Sequence, residues 1–258
     1  MTVHRLSGKR VLITGASGGI AQASIAALQA QGATVTGVDL RADGDIIGAD
    51  VRDPEAMRAA VATAVERMGG IDILVNCAGV GTAQDAGEMP GEDVRQTLDI
   101  NLMGPWVTTA AALPHLQTSH GHIVTVTSML AVVAIPFASA YTASKHALEA
   151  YCRCLRIEYS GRVSVTTVRP GYVKTHIHDA PAQRGVSLDG VAKEDSVEQA
   201  AAAIVRACTH RPRWVTTSRA TAVGIWFGQH FPKFVEGVIT RRSGEHRLKS
   251  LEPMADRS

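Results

Sequence analysis

Aromatic side chains are scarce in this chain of 258 residues: Phe, Trp and Tyr together make up 4%. Charge is modest at 19%, with a net of +2. A balance this close to neutral offers no electrostatic footprint for a polyanion, so nucleic acid is not an expected partner. Cysteine is limited to Cys77, Cys152, Cys154 and Cys208, with no framework spacing. Cys152 and Cys154 stand two apart in an expected helix and point to different sides, which suits neither a disulfide nor a metal. That usage points to a reducing, cytoplasmic setting. Long apolar runs are missing too. The opening MTVHRLSGKRVLIT lacks the apolar core of a signal peptide, and no stretch reaches the roughly 20 residues of a membrane span.

What the chain does have is alternation. Short runs rich in β-branched residues read as strands: RVLITG from Arg10, TVTGVD from Thr34, IDILVNCAG from Ile71, HIVTVTS from His122, VSVTTVRPG from Val163 and RWVTTS from Arg213, with a weaker DIIGADV from Asp45. Between them lie GIAQASIAALQAQG, DPEAMRAAVATAVERMGG, PWVTTAAALPHL and YTASKHALEAYCRCLRIEY, whose apolar positions recur every three or four residues, as in amphipathic helices. Strand–helix alternation with uninterrupted apolar strands implies an α/β fold: a doubly wound, Rossmann-type parallel sheet with helices on both faces. No repeat, low-complexity tract or linker divides it. A single dinucleotide-binding and catalytic domain over 1–258 is expected, with a C-terminal helical extension over 219–258.

The first strand runs into LITGASGGIAQASIAAL, which sets Gly15, Gly18 and Gly19 at a strand–turn–helix junction. Glycines there permit a tight turn and let backbone N–H groups approach a pyrophosphate, whose charge the helix N-terminus favours. Asp39 ends the second strand. A carboxylate there can accept hydrogen bonds from adenosine ribose hydroxyls and repels a 2′-phosphate, so NAD is the expected cofactor. Arg41, two residues on, is the one nearby cation that opposes this reading.

Ser128 ends the strand VTVTS at the sheet edge where ligands bind in doubly wound folds. Thirteen residues later, SAYTASKHAL spaces Tyr141 and Lys145 one helical turn apart. Such an i, i+4 pair arises by chance in many chains, but here it follows the strand that carries Ser128. Removing hydride from an alcohol carbon requires the hydroxyl proton to leave. A phenol of pKa near ~10 is a poor base at neutral pH, and a neighbouring ammonium favours its phenolate.

Taken together, TGxxxG at Thr14–Gly19, VNCAG ending at Gly79, Asn101 in LDINLMGP, Ser128, Tyr141, Lys145 and RPGYVKT resemble the short-chain dehydrogenase/reductase family over roughly residues 6–178. The resemblance implies a catalytic tetrad of Asn101, Ser128, Tyr141 and Lys145. In it Tyr141 is the acid/base, Lys145 tunes it and holds the nicotinamide ribose, Ser128 orients the substrate oxygen, and Asn101 binds a water that relays protons. It implies cofactor contacts from Gly15, Ser17, Gly19 and Ile20, from Asp50 and Val51 at the adenine, and from Asn76, Ala78 and Gly79. Pro170, Val173 and Thr175 would complete them near the nicotinamide. Two positions depart from the family pattern: Ala21 replaces the last loop glycine, and Cys77 replaces an asparagine. The resemblance also implies a homodimer or homotetramer paired through the helices flanking the site.

HIHDAPAQRGVSLDGVAKED reads as a substrate lid over 176–196. His176 and His178 fit that lid better than a metal site, and no metal is expected. In the tail, Val223, Trp226, Phe227, His230, Phe231 and Phe234 recur at helical spacing, with Pro232 expected to split two helices. Two of the three Trp and three of the four Phe lie between Trp214 and Phe234. Their concentration predicts that 222–239 is ordered and largely buried, against the lid or a partner subunit. A substrate cover and a less favoured membrane-surface contact are the other readings. The expected function is NAD-dependent interconversion of a secondary alcohol and a ketone on a lipophilic substrate. A small polar alcohol, diol or sugar is one alternative, and a non-enzymatic dinucleotide-binding sensor is the other.

Overall fold

The computed structural model of the protein describes residues 5–174 and 194–250, with side chains through 241. The elements run β1 (Arg10–Thr14), α1 (Gly19–Ala30), β2 (Thr34–Asp39), β3 (Ile47–Gly48), α2 (Pro54–Met68), β4 (Ile73–Asn76), α3 (Glu92–Leu98), a π-helical turn (Asp99–Met103) and α4 (Gly104–Thr118). They continue through β5 (His122–Val126), a 3-10 turn (Met129–Ala131), α5 (Ser139–Glu158), β6 (Ser164–Arg169), α6 (Val197–His210), β7 (Trp214–Thr216), α7 (Arg219–His230) and α8 (Pro232–Ser250).

The sheet is parallel throughout, in the order β3-β2-β1-β4-β5-β6-β7. Its apolar strands serve two cores at once, because successive residues of a strand face opposite sides. Leu12, Leu74 and Ile123 point into one core with α2, α4 and the end of α5. Val11, Ile13, Ile73, Val75 and Val124 point into the other, beneath α1 and α6. The doubly wound fold expected from the alternation is therefore the fold observed, and the weak third strand shrinks to Ile47–Gly48. Two helices, α3 and α6, were not among those signalled by the sequence.

Strand order reverses between β1 and β4, and at such a switch point the loops that follow the two strands part to leave a crevice. The chain leaves β1 into Gly15 and β4 into Cys77, so both lips of the crevice come from motifs named above.

Within the single chain the tail is covered on one side only. It does split at Pro232, which occupies the first turn of α8 where its missing N–H costs nothing. Burial, however, reaches only Thr221, Ile225 and Gly228 on α7. Trp226 is 48% exposed and Phe234 67% exposed, along with Val223, Phe227 and Phe231. Only one face of α7 meets the domain. Gly228 lies where any Cβ would collide with Val133, so the helix packs close there and turns its aromatic side outward.

Candidate active site

A cavity of about 790 Å³ lies along the carboxyl ends of β1, β2, β4, β5 and β6. On one side its wall is Gly15, Gly18, Gly19 and Ile20, then Asp39, Asp50 and Val51. On the other it is Ala78 and Gly79, then Ser128, Tyr141 and Lys145, with Pro170 and Val173. Residues spread over more than 150 positions of sequence thus meet in one space.

The glycine loop is built for close approach. Gly15 has φ +69°, and a Cβ there would fall 2.7 Å from the Ala78 Cα, so β1 and β4 can meet only if this residue is glycine. Thr14 Oγ1 ties the two loops, accepting from the N–H groups of Cys77 (3.2 Å) and Ala78 (3.3 Å). The backbone path therefore survives the cysteine at 77. Asp39 steadies the loop from β2: its carboxylate accepts from Ser17 N at 2.8 Å and Leu40 N at 2.7 Å.

The start of α1 is the strongest sign of an anion. Helix α2 is capped by Asp53, which accepts from Glu55 N and Ala56 N, and α6 by a reciprocal Ser196–Gln199 box. Helix α1 begins after Gly18 with no side-chain cap and no acidic residue in its first turn. Its leading N–H groups and the positive end of its dipole face the cavity, an arrangement that suits the pyrophosphate of a dinucleotide. The chain's residues therefore fit such a cofactor, which Gly15, Gly19 and Ile20 would hold at the pyrophosphate and Asp39 at the ribose.

Four expected contacts stand differently. Ser17 is exposed beside the cavity and meets Asp39 through its backbone N–H. Asn76, as the buried last residue of β4, donates from Nδ2 to Thr109 Oγ1 at 3.1 Å, between sheet and α4 and outside the cavity wall. Asp50 lines the cavity, but its carboxylate is held by the Arg52 guanidinium at 2.6 Å, which keeps it below the usual carboxylate range. Thr175, like His176, His178 and most of the proposed lid, lies outside the described residues.

Asn101 stands behind these residues. It is fully buried in the π-helical turn, behind the cavity wall. Its Oδ1 accepts from Val80 N at 2.8 Å, and its Nδ2 donates to Val80 O at 2.9 Å and Ser144 Oγ at 3.2 Å. Both ends of the amide are thus committed to shaping the loop after β4 and to holding α5. The side chain clamps Val80, and Gly79 passes between it and Lys145.

The remaining three converge. Ser128 caps the 3-10 turn, accepting from Leu130 N at 3.1 Å. Lys145 is buried, donates to Val126 O at 3.2 Å, and holds its ammonium 5.6 Å from the centroid of the Tyr141 ring. Burial pushes the lysine down to about 8, against opposing pulls from Cys77 and Cys152. Burial likewise pushes the Tyr141 phenol up to about 12, with the Ser128 hydroxyl acting the other way. The expected lowering of Tyr141 by Lys145 is therefore outweighed by desolvation in the protein alone. At neutral pH the resident state is a neutral phenol, a proton donor, beside a lysine close to its own titration point. Because the two groups interact, their titration belongs to the pair.

A support behind them had been missed. Glu149 sits one further turn along α5 and is 3% exposed. It accepts from Arg169 Nη2 at 2.6 Å and Thr167 Oγ1 at 3.1 Å, both on β6, and from Thr127 Oγ1 at 3.4 Å, next to Ser128. The i, i+4 step from Lys145 to Glu149 was its only signal in the sequence. Breaking one partner strands a buried charge, so Arg169→Met is expected to cost about 3–5 kcal/mol. The double variant Glu149→Leu/Arg169→Met should recover most of that in urea unfolding. Additive losses in the double variant would show that the pair does not act as a unit.

The substrate side of the cavity is apolar: Met129, Leu130, Val133 and Ile135 follow Ser128, and Phe227, Val235 and Ile239 reach in from α7 and α8.

Comparison with known proteins agrees with this picture. The mouse protein "Dehydrogenase/reductase SDR family member 7B" (Mus musculus) is 35% identical over 147 residues, covering 56% of this chain and 44% of the relative. Across its vertebrate counterparts the chain spans 40% to 55% of the relative's length. "11-beta-hydroxysteroid dehydrogenase A" of Sesamum indicum is 30% identical over 263 residues, covering 91% of this chain and 75% of that one. A short chain dehydrogenase from Mycobacterium paratuberculosis, solved bound to NAD, shares the fold with a TM-score of 0.75 at 24% identity, covering 84% and 99%. A family model described as short chain dehydrogenase matches residues 9–184, which include every motif of the cavity wall up to Val173. On its sequence and its fold, this chain belongs to the short-chain dehydrogenase family.

Proposed function

We propose that the chain is an NAD(H)-dependent oxidoreductase that interconverts a lipophilic secondary alcohol and its ketone. The observation that carries this reading is the meeting of Ser128, Tyr141 and Lys145 with the uncapped start of α1 in one cavity. The hydride would be supplied or accepted by a nicotinamide dinucleotide bound along the glycine loop and Asp39. The protein's part is to position and to move a proton. Ser128 donates to the substrate oxygen, and Tyr141, neutral at pH 7, gives its phenolic proton to that oxygen as the ketone is reduced. Lys145 stabilises the phenolate left behind and passes a proton back. The same groups run in reverse for oxidation, which needs the phenolate and is therefore favoured as pH rises.

The apolar wall from Met129 to Ile135, completed by Phe227, Val235 and Ile239, supports a bulky apolar substrate. It offers no charged partner for a sugar acid or a polyol phosphate among the described residues. A screen of aliphatic, aromatic and steroidal ketones, followed by loss of NADH absorbance, tests this. The expected ranking favours large apolar ketones over small diols and sugars, and the reverse ranking would contradict it.

Asp39 decides the nucleotide. Its carboxylate occupies the end of β2 within the cavity, where a 2′-phosphate would meet its charge. NADH is expected to bind at least tenfold more tightly than NADPH, and Asp39→Ala should narrow that ratio. Titration of both nucleotides by fluorescence reads it, and tighter NADPH binding by the unaltered protein would contradict the assignment. For assembly, we propose pairing through α4 and α5, whose outer faces leave Trp106 and Ile157 exposed. Light scattering should show a dimer or tetramer, and a monomer would count against it.

A further inference from the structure

The exposed aromatic face of the tail calls for a partner. Trp226 is its centre: its ring stacks on His230 at 4.6 Å and meets Phe227 at 5.1 Å and Phe231 at 5.9 Å. Val223 and Phe234 extend the patch at either end, and all except His230 are large apolar side chains open to water. In a chain with 4% aromatic residues, this is a concentrated apolar surface of the kind that marks an interaction site.

Charge says what covers it. From Arg219 to Ser250 the chain carries six cations, Arg219, Lys233, Arg241, Arg242, Arg247 and Lys249, against Glu236 and Glu245. That is a net of +4 on two helices, in a protein whose whole net charge is +2. A two-fold contact between copies would bring two such cationic segments together, which Coulomb repulsion opposes. An anionic surface answers both features at once. Aromatic rings favour the boundary between headgroups and acyl chains, and Lys and Arg favour anionic headgroups. Among the described residues no helix is long and apolar enough to cross a membrane, so any contact lies in the plane of the surface.

Position adds a third argument. Helices α7 and α8 also supply Phe227, Val235 and Ile239 to the cavity, and Phe227 belongs to both the cavity wall and the exposed patch. The aromatic patch is therefore the rim of the site.

We propose that α7 and α8 form a docking surface for an anionic lipid bilayer, with the mouth of the cavity turned toward the lipid. On the reading above, which this part rests on, an apolar ketone or alcohol would enter from the bilayer without crossing water.

The test uses the full chain and vesicles of phosphatidylcholine alone or mixed two to one with phosphatidylglycerol. The protein should sediment with the mixed vesicles and not with pure phosphatidylcholine. Binding should weaken at least tenfold in high salt, as screening requires. It should weaken at least tenfold in Trp226→Ser/Phe234→Ser, two positions outside the cavity wall. Unchanged NADH binding and an unchanged thermal midpoint show that the variant is folded. In a Trp106→Phe/Trp214→Phe background, lipids brominated near the headgroup should quench Trp226. Absence of sedimentation at any salt, or sedimentation indifferent to the double variant, overturns the proposal. So does loss of an oligomer in the double variant without vesicle binding, which would make this face a contact between copies. Because sedimentation needs no turnover, an inactive protein that still docks would refute the proposed function and leave the docking surface standing.

Discussion

Tyr141→Phe is expected to lower the rate of ketone reduction by roughly 10²–10⁴-fold, the usual worth of a positioned general acid. NADH affinity should stay within about twofold, because the ring still packs against the same wall and only the transferable proton is lost. The pH dependence follows from the same group. Burial raises the phenol to about 12, so reduction finds its acid in place across the neutral range. Oxidation needs the phenolate and should quicken as the pH is raised. Parallel loss of turnover and NADH binding in Tyr141→Phe would mean that the ring holds the cofactor and the proton comes from elsewhere.

The second large effect is a gain and a loss together. Lys145→Met should remove turnover and weaken NADH binding, yet make the ligand-free protein more stable. The ammonium is buried, and its pKa falls from 10.5 to about 8 because burial penalises the charged form. A lysine lowered in the folded state carries fewer protons there than in the unfolded chain between those two values. Stability must therefore rise with pH across the window from about 8 to 10.5. Below about pH 8 both states are protonated and the whole burial cost is present, on the order of 3 kcal/mol. Methionine fills similar volume without the charge, so the variant should melt several degrees higher at pH 6. The difference should shrink through the alkaline window. A variant less stable than the parent at pH 6 would show that the Val126 carbonyl and the Tyr141 ring more than offset the desolvation of Lys145.

These two results would place the site among those where function is held at a cost to stability, and they show where sequence reading stops. The strands and their parallel sheet were legible because apolar, β-branched runs alternating with amphipathic helices imply a sheet buried on both faces. Helix α3 was not, since seven residues are too few for a period to declare itself. Helix α6 was passed over although its sequence carries the signals, a Ser196–Gln199 capping box and buried positions at Ala200, Ala203, Ile204, Ala207 and Cys208. At the site, Gly15, Asp39, Ser128, Tyr141 and Lys145 were legible as chemistry at fixed spacing. Asn101 was legible as a residue and not as a contact: only the fold shows that Val80 takes both ends of its amide. The Glu149–Arg169 pair was illegible, because its partners lie on two elements twenty residues apart. The direction of the Tyr141 shift was misread because spacing reports a neighbouring charge and says nothing of burial. The tail shows the same limit. Its helical period and the break at Pro232 were plain, but which face the domain covers depends on Gly228 meeting Val133.

The central claim is hydride transfer at the cavity that Ser128, Tyr141 and Lys145 share with the start of α1. It is tested most directly with NADH dideuterated at the transferring ring carbon and an apolar ketone, the product being read by mass spectrometry. The account predicts an alcohol carrying one deuterium on its carbinol carbon, formed by the unaltered protein and nearly absent with Tyr141→Phe. Saturating cofactor binding with no deuterated alcohol from any ketone in the panel, with NADPH tried in the same way, would contradict it.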